Sequence, residues 1–262
     1  MNSFYMTVVY ILAGIVGLCV GSFLNVVIYR VPNNMSLAKP NSHCPACQYE
    51  LRWYDNIPVL SYLILGGKCR KCKSHISARY AAVELANAIL WLLCVFLFWK
   101  ENMWLACIYA LVFSTFICIF FIDLEHKLIF DRFQIIILIL GIAAIFFDTD
   151  YGWISHLIGG IIGFSFFFLV SWGFEKLFKK EGLGGGDVKL ACVAGILLGY
   201  ERLLLSLIIA TLPAAIIMSI ASRGKEGEDR QFPFAPFLVI GFSVAMLFGT
   251  QIINWYLSLL RF

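Results

Sequence analysis

Two aspartates lie where a long apolar segment meets a polar one, and each belongs to a dense motif. Asp123 follows the apolar run 113–122 and begins the sequence Asp-Leu-Glu-His-Lys. Asp187 ends the glycine-rich sequence 182–187. A carboxylate at membrane depth is costly and marks a functional site. Two of them predict a pair that shares a proton and activates water.

The positions of the two aspartates predict different roles. Asp123 is expected at the C-terminal end of a helix, where the macrodipole disfavours its charge, and Asp187 at a helix N-terminus, where its charge is favoured. We therefore expect Asp187 to be the ionised general base and Asp123 to be protonated. Gly184 and Gly186 are expected to allow unusual backbone angles and close approach of a substrate. The alternative interpretation of the glycine run, a phosphate loop, lacks the Lys-Ser/Thr ending.

The composition predicts an all-α polytopic membrane protein. Hydrophobic residues make up 61% of the 262 and charged residues only 14%, whereas soluble domains carry about 25% charged residues. A helix needs about 20 apolar residues to span a bilayer, and segments of about that length predict about eight transmembrane helices. The prediction is weakest for the short segment 188–199. The first segment is too long for a cleaved signal peptide, and it lacks the basic N-terminal flank of such peptides. The segments are Tyr5–Tyr29, Tyr80–Trp99, Met103–Ile122, Arg132–Phe147, Trp153–Phe174, Val188–Gly199, Leu203–Ala221 and Phe234–Leu260.

The basic residues predict the orientation of the chain. With the N-terminus outside, all of the 20 Lys and Arg except Lys100, Arg202 and Arg261 fall on the cytoplasmic side, as the positive-inside rule requires. This arrangement predicts an even number of spans across the cytoplasmic (inner) membrane. It also places Asp123 and Asp187 at the cytoplasmic face, and no nucleic-acid partner is expected.

The polar segment 30–79 contains two Cys-x-x-Cys pairs separated by 21 residues. Two such pairs fit a tetrahedral thiolate zinc site, and a structural zinc would stabilise a segment too short to form its own core. We expect a small zinc-ribbon-like cytoplasmic domain after the first helix. A redox-active or disulfide-linked pair is the rival interpretation, and His43 and His75 are alternative ligands. The four predicted ligands are Cys44, Cys47, Cys69 and Cys72.

Seven motifs in order along the chain resemble the bacterial type IV prepilin peptidases, a family of membrane aspartyl proteases. One departure is Phe130, which stands where the family pattern has proline before Asp131. The motifs are 21–32 (GSFLNVVIYRVP), the first cysteine pair 44–47, 56–62 (NIPVLSY), the second cysteine pair 69–72, the aspartate motifs 121–126 (FIDLEH) and 184–189 (GGGDVK), and 233–237 (PFAPF).

The resemblance implies a function. Members remove the short basic leader from prepilins and pseudopilins of pili, secretion or DNA-uptake (competence) systems, cutting after a glycine at the cytoplasmic membrane face. Members with the cysteine segment also methylate the new N-terminus with S-adenosylmethionine. The chain shows no nucleotide-binding fingerprint, so methyl-transfer residues are not assigned. The implied division is a first helix (1–29), the cysteine segment (30–79) and a peptidase domain (80–262).

Supporting roles are predicted for a few further charged residues. Glu84 lies about one turn inside a span, where it faces the substrate's new amine or pairs with Arg79. Lys189 is expected to pair with a nearby carboxylate, and Asp131 to cap the next helix.

Two other classes of protein compete with the peptidase. A transporter also carries intramembrane carboxylates, but near the bilayer middle rather than at one edge. A zinc-dependent binding module with a membrane anchor explains neither eight spans nor the second aspartate motif.

Overall fold

The computed structural model describes residues 3–179, 184–221 and 232–260. These residues are helical wherever they form regular structure, apart from two isolated β-bridges. A short 3₁₀ helix, Trp53–Asn56, precedes α2. The α-helices are α1 Ser3–Arg30, α2 Leu60–Ile64, α3 Arg79–Phe98, α4 Met103–His126, α5 Asp131–Ile145, α6 Trp153–Phe178, α7 Gly185–Leu198, α8 Tyr200–Ala221 and α9 Ala235–Leu260.

Each of the eight predicted apolar segments forms a helix, which confirms the all-helical membrane class. Within the described residues, α1, α3, α4, α6, α8 and α9 are long and apolar enough to cross a bilayer. Helices α5 and α7 have 15 and 14 residues, fewer than the roughly 20 that a span needs. The expected number of spans therefore stays a prediction.

The chain divides into two compact units, Met1–Cys118 and Ile119–Phe262. In the first unit, α1 packs closely on α3. A Cβ at Gly21 would lie 2.7 Å from the Cα of Glu84, and the buried Asn87 donates a hydrogen bond of 2.7 Å to the carbonyl of Gly17. Small residues allow the backbones this approach, and the amide hydrogen bond fixes their register. The predicted functional division at residues 29 and 79 is a separate matter and stays a prediction.

In the second unit α7 packs against α5 and α6, and glycines lie at the contact with α6. A Cβ at Gly195 would clash with the carbonyl oxygen of Gly159, and a Cβ at Gly163 with that of Ala191. These residues are four apart on each helix, the small-xxx-small pattern of close helix pairs in membranes. The contact sets the position of α7, which carries Asp187 at its start.

A buried ionic cluster ties the α5–α6 connection to the start of α8. The guanidinium of Arg202 donates to Asp148 Oδ2 at 2.6 Å and to Asp150 Oδ2 at 2.5 Å. It also bonds the hydroxyl of Thr250 on α9 and lies 4.7 Å from the ring centroid of Tyr151. Arg202 and Asp148 are both buried, so each charge is compensated by the other.

Candidate active site

Asp123 lies in the last turn of α4 but contacts the first turn of another helix. Its side chain is buried, and Oδ2 accepts a hydrogen bond of 3.1 Å from the backbone N–H of Ala235, the first residue of α9. The C-terminal end of α4 disfavours a negative charge, whereas the N-terminus of α9 favours one. The motif 233–237 thus contributes to the site by placing a helix N-terminus on the first aspartate. The sequence argument considered only the helix that carries Asp123.

Asp187 is the third residue of α7 and is only half-buried. Its carboxylate hydrogen-bonds the backbone of Gly184, the N-cap residue of the same helix. An acidic side chain at this position satisfies an otherwise unpaired N–H group and complements the helix dipole. The predicted placement of Asp187 at a helix N-terminus is therefore confirmed.

The two aspartates meet within the second unit. They lie 64 positions apart in the sequence and on different helices, yet the carboxyl group of Asp187 is within electrostatic range of Asp123. Two neighbouring carboxyl groups repel one another when both are ionised, and such pairs divide the roles of acid and base between them. Such a pair titrates as a unit.

The glycines of the second motif do not have the unusual backbone angles that were predicted, whereas their close approach to a substrate stays a prediction. Gly184 has φ −64° and ψ 138°, which is ordinary extended backbone. Gly186 lies in a tight contact, because a Cβ there would lie 3.0 Å from the Cβ of Ile129. The connection between α4 and α5 therefore lies directly on the turn that holds Asp187. Lack of a side chain, rather than unusual backbone angles, explains this glycine.

Two polar contacts hold the start of α5 to the start of α7. The buried amide of Gln134 donates a hydrogen bond of 3.1 Å to the carbonyl of Gly186. Lys189 pairs with Asp131 at 2.8 Å, as predicted for a nearby carboxylate, and both side chains are more than half exposed. Gln134 was missed by the sequence argument. The sequence does indicate a role for Gln134, because it is a lone amide in the apolar segment 132–147 and polar side chains in membranes need partners.

Phe130, the departure from the family pattern, keeps the local geometry that proline would impose. It is the N-cap residue of α5 with φ −80° and ψ 134°, within the range that proline adopts. Asp131 was expected to be the cap and is instead the first residue within the helix. There its charge still complements the helix N-terminus.

Glu84 lies in the first unit and serves the cysteine segment. Its buried carboxylate accepts a hydrogen bond of 2.7 Å from the backbone N–H of Val59 and another from Ser22 on α1. These contacts differ from the predicted pairing with Arg79, which stays a prediction. The predicted role of Glu84 in substrate binding stays a prediction as well.

The four predicted cysteines form one cluster in the first unit. Their sulfur atoms all lie within 4.8 Å of one another, with Cys44 and Cys72 at 3.8 Å and Cys47 and Cys69 at 4.0 Å. A tetrahedral ion with metal–sulfur bonds of about 2.3 Å separates its ligands by about 3.8 Å. All four thiols are free of disulfide bonds. The cluster therefore fits a single metal ion.

The two cysteine pairs are built on the same turn. The carbonyl of Cys44 accepts the N–H of Gln48 at 2.9 Å, and that of Cys69 accepts the N–H of Lys73 at 3.0 Å. Gln48 and Lys73 both have positive φ, 56° and 62°. The repeated turn points both sulfurs of each pair toward one centre.

The turn also promotes the thiolate form of one ligand. Burial raises the pKa of Cys44, but hydrogen bonds from the N–H groups of Cys47 and Ala46 and from Ser74 outweigh it and bring the pKa to about 6. A thiolate is the form that binds a metal ion. His43, the alternative ligand, turns Nδ1 to the carbonyl of Asn41 at 3.0 Å.

Both units match models of known protein families. The model of the bacterial peptidase A24 N-terminal domain matches residues 15–98, and that of the type IV leader peptidase family matches residues 110–219. The first match contains the cysteine cluster and Glu84, and the second contains Asp123 and Asp187. No solved structure matches the chain.

Curated relatives match the chain almost end to end. It is 35% identical to a prepilin leader peptidase/N-methyltransferase of Pseudomonas aeruginosa, over 95% of this chain and 93% of that one. It is 36% identical to the protein of the same name from Dichelobacter nodosus, over 91% of each chain. The protein of that name from Neisseria gonorrhoeae is 32% identical over 94% of each. The chain therefore belongs to the type IV leader peptidase family.

Proposed function

We propose that this protein is an aspartyl endopeptidase that removes the short basic leader from prepilins and pseudopilins. The observation that carries the proposal is the coupled pair of Asp123 and Asp187, with a helix N-terminus on each side of it. A pair that holds one proton supplies a base for water and an acid for the scissile carbonyl. The family relationship supplies the class of substrate.

The geometry supports one division of the two roles within the pair. Asp187 is the more exposed residue, so water reaches it, and it takes a proton from the attacking water. Asp123 bonds the N–H of Ala235 through Oδ2, so its proton belongs on Oδ1, from which it is donated to the carbonyl oxygen as the water attacks. The tetrahedral intermediate then collapses as Asp187 returns its proton to the leaving nitrogen. Asp123 recovers its own proton from the new hydroxyl group.

The test of this mechanism is cleavage by purified protein in lipid. The substrate is a peptide with a short basic leader ending in glycine, followed by an apolar helix. Asp123→Asn and Asp187→Asn should each lower the rate by at least about a hundredfold, since acid–base groups contribute 10²–10⁴-fold. Asp131→Asn is the matched control, because Asp131 is an exposed aspartate close to the same glycine motif.

Retained cleavage in either pair variant, with unfolding temperature unchanged, would remove the paired-carboxylate mechanism. Equal loss in Asp131→Asn would show that the assay reports folding rather than chemistry. We place the site at the cytoplasmic face of the inner membrane on the distribution of Lys and Arg.

The cysteine cluster is proposed to bind a structural zinc ion. Its ligands would be Cys44, Cys47, Cys69 and Cys72. The ion would stabilise the segment between α1 and α3 without taking part in hydrolysis. Elemental analysis of the purified protein should find one zinc per chain. Cys47→Ser, which removes one ligand, should lose it while the spans stay folded.

Methylation of the new N-terminus is proposed as a second activity on two grounds. The relatives carry N-methyltransferase in their names, and the first unit matches the family's N-terminal domain. S-adenosylmethionine would supply the methyl group. Mass spectrometry of the cleaved product, with and without that compound, tests the activity separately from cleavage.

A further inference from the structure

Helix α2 presents an apolar face that no other part of the described chain covers. Leu60, Leu63 and Ile64 are 57%, 66% and 79% exposed. They stand at positions i, i+3 and i+4, so they share one side of the helix. Trp53 is 79% exposed and belongs to the 3₁₀ helix that packs against α2.

A hydrogen bond fixes the height of α2 relative to a membrane span. The N–H of Val59, the N-cap residue of α2, donates to Glu84 Oε2 at 2.7 Å. Glu84 is five residues into α3, which has 20 residues and is therefore about 30 Å long, the thickness of the bilayer's apolar core. Glu84 thus lies about 7 Å inside the end of that span, and its side chain points back toward the end.

The hydrogen bond between Val59 and Glu84 therefore lies at the boundary between headgroups and acyl chains. The charge of the segment 30–79 suits that position, since the segment contains eight basic and two acidic side chains. One of the two acids, Asp55, is already bonded to Arg70 at 2.7 Å. Basic side chains are attracted to anionic headgroups, and tryptophan is enriched at this level of a bilayer.

We propose that α2 is an interfacial helix that inserts Leu60, Leu63 and Ile64 into the membrane surface. The bilayer is its partner, and anionic headgroups contact the surrounding lysines and arginines. The insertion fixes the metal-binding segment against the membrane, through Glu84 on one side and lipid on the other. This inference does not depend on the proposed peptidase chemistry.

The experiment is photocrosslinking of the full-length protein in vesicles of phosphatidylethanolamine and phosphatidylglycerol. The photoreactive residue p-benzoylphenylalanine replaces Leu63, and in a matched control it replaces Glu50, an exposed residue beside the first cysteine pair. We expect at least about tenfold more phospholipid adduct at position 63. Burial of one apolar side chain of leucine size favours lipid over water by about that factor. The metal content of each variant shows that the segment is folded.

Two results would overturn the proposal. One is a crosslink from position 63 to a second copy of the chain or to an added substrate in place of lipid, which would make the face a protein-binding surface. The other is an equal phospholipid yield at positions 63 and 50, which would place α2 in water. The label at Ile64, on the same face, repeats the test if the Leu63 variant loses its metal.

Discussion

At the scale of the residue, the two aspartates are predictable from sequence and their surroundings are not. Asp123 and Asp187 each stand in a motif at the end of an apolar run, as do the cysteine pairs in their polar segment. The partners of the aspartates lie far away in sequence. Ala235 is 112 residues from Asp123, and Gln134 is 52 residues from Gly186. Only folding brings such positions together, and a single sequence carries no signal of that proximity.

Gln134 and Lys189 are predicted to differ in importance, because one contact is buried and the other exposed. Gln134→Leu removes the side-chain hydrogen bond to the carbonyl of Gly186, and such a bond contributes about 0.5–1.5 kcal/mol. The turn that holds Asp187 should shift, lowering the cleavage rate by about tenfold or more. Lys189→Met breaks an exposed ion pair, which contributes at most about 1 kcal/mol, and cleavage should stay within about threefold of wild type.

The assay for both variants is cleavage under single-turnover conditions, alongside thermal unfolding. A loss in the Lys189 variant as large as that in the Gln134 variant would contradict the distinction. It would instead give Lys189 a role in binding the substrate.

Asp55 predicts a pH dependence for the cysteine segment. Burial raises the pKa of Asp55, but hydrogen bonds from Arg70 and from the N–H of Arg52 outweigh it and hold the pKa below its usual value. Such a carboxyl group stabilises the fold fully above the unfolded pKa of about 3.9, and its contribution is lost as the pH falls through the folded pKa. Asp55→Asn should therefore cost about 1–3 kcal/mol at neutral pH.

The difference in unfolding temperature between wild type and Asp55→Asn measures this contribution at each pH. Release of a metal ion in acid affects both proteins, so the difference isolates the carboxylate. It should shrink as the pH falls below about 3.9 and close below the folded pKa, where Asp55 is protonated in the folded chain too. A constant difference across the pH range would assign the effect to lost packing. Glu50→Gln, at an exposed carboxylate of the same segment, is the control.

At the scale of the element, the lengths of the apolar segments predicted all eight long helices but not the short helices or the packing between helices. Helix α2 and the preceding 3₁₀ helix were not predicted, since five and four residues are too few for a periodic pattern to appear. The close packing of α6 on α7 was also missed. Its glycines read as ordinary members of an apolar run until the facing helix is known.

That packing predicts which glycine can be replaced. Gly195→Ala puts a Cβ into the carbonyl oxygen of Gly159, so α7 must move away from α6. Overpacking of this kind costs about 1–3 kcal/mol, and the shift carries Asp187 with it, so cleavage should fall together with the unfolding temperature. Gly173→Ala, in the neighbouring helix α6, has nothing within 4 Å of the new Cβ. It should be neutral or stabilise by about 0.5–1 kcal/mol through helix propensity. Equal effects of the two substitutions would show that the contact does not hold α7.

At the scale of the whole molecule, the ionic cluster explains an exception to the charge bias. Arg202 is one of three basic residues predicted outside, and it is buried between Asp148 and Asp150. Its charge is neutralised locally, so it does not oppose the orientation that the other basic residues favour. The cluster also requires that the α5–α6 connection and the start of α8 lie on the same side of the membrane.

The side on which that cluster lies tests the arrangement with eight spans. Helix α5 has 15 residues and is about 22 Å long, short of the roughly 30 Å of apolar bilayer. If it crosses with the help of its flanking residues and local thinning of the bilayer, the cluster is outside and the chain has eight spans. If α5 and α7 each entered and returned while α6 crossed, Asp148 and Arg202 would lie on opposite sides of the membrane, which their ion pair excludes.

The Lys and Arg bias favours eight spans, and inserted reporters test it. Alkaline phosphatase, which is active only outside the cytoplasm, should be active when inserted after Asp150 and inactive after Lys127 or Lys179. Cleavage of a prepilin by each fusion shows that the peptidase unit is folded. An inactive reporter at Asp150 in a cleaving fusion would place the ionic cluster on the cytoplasmic side and contradict the arrangement with eight spans.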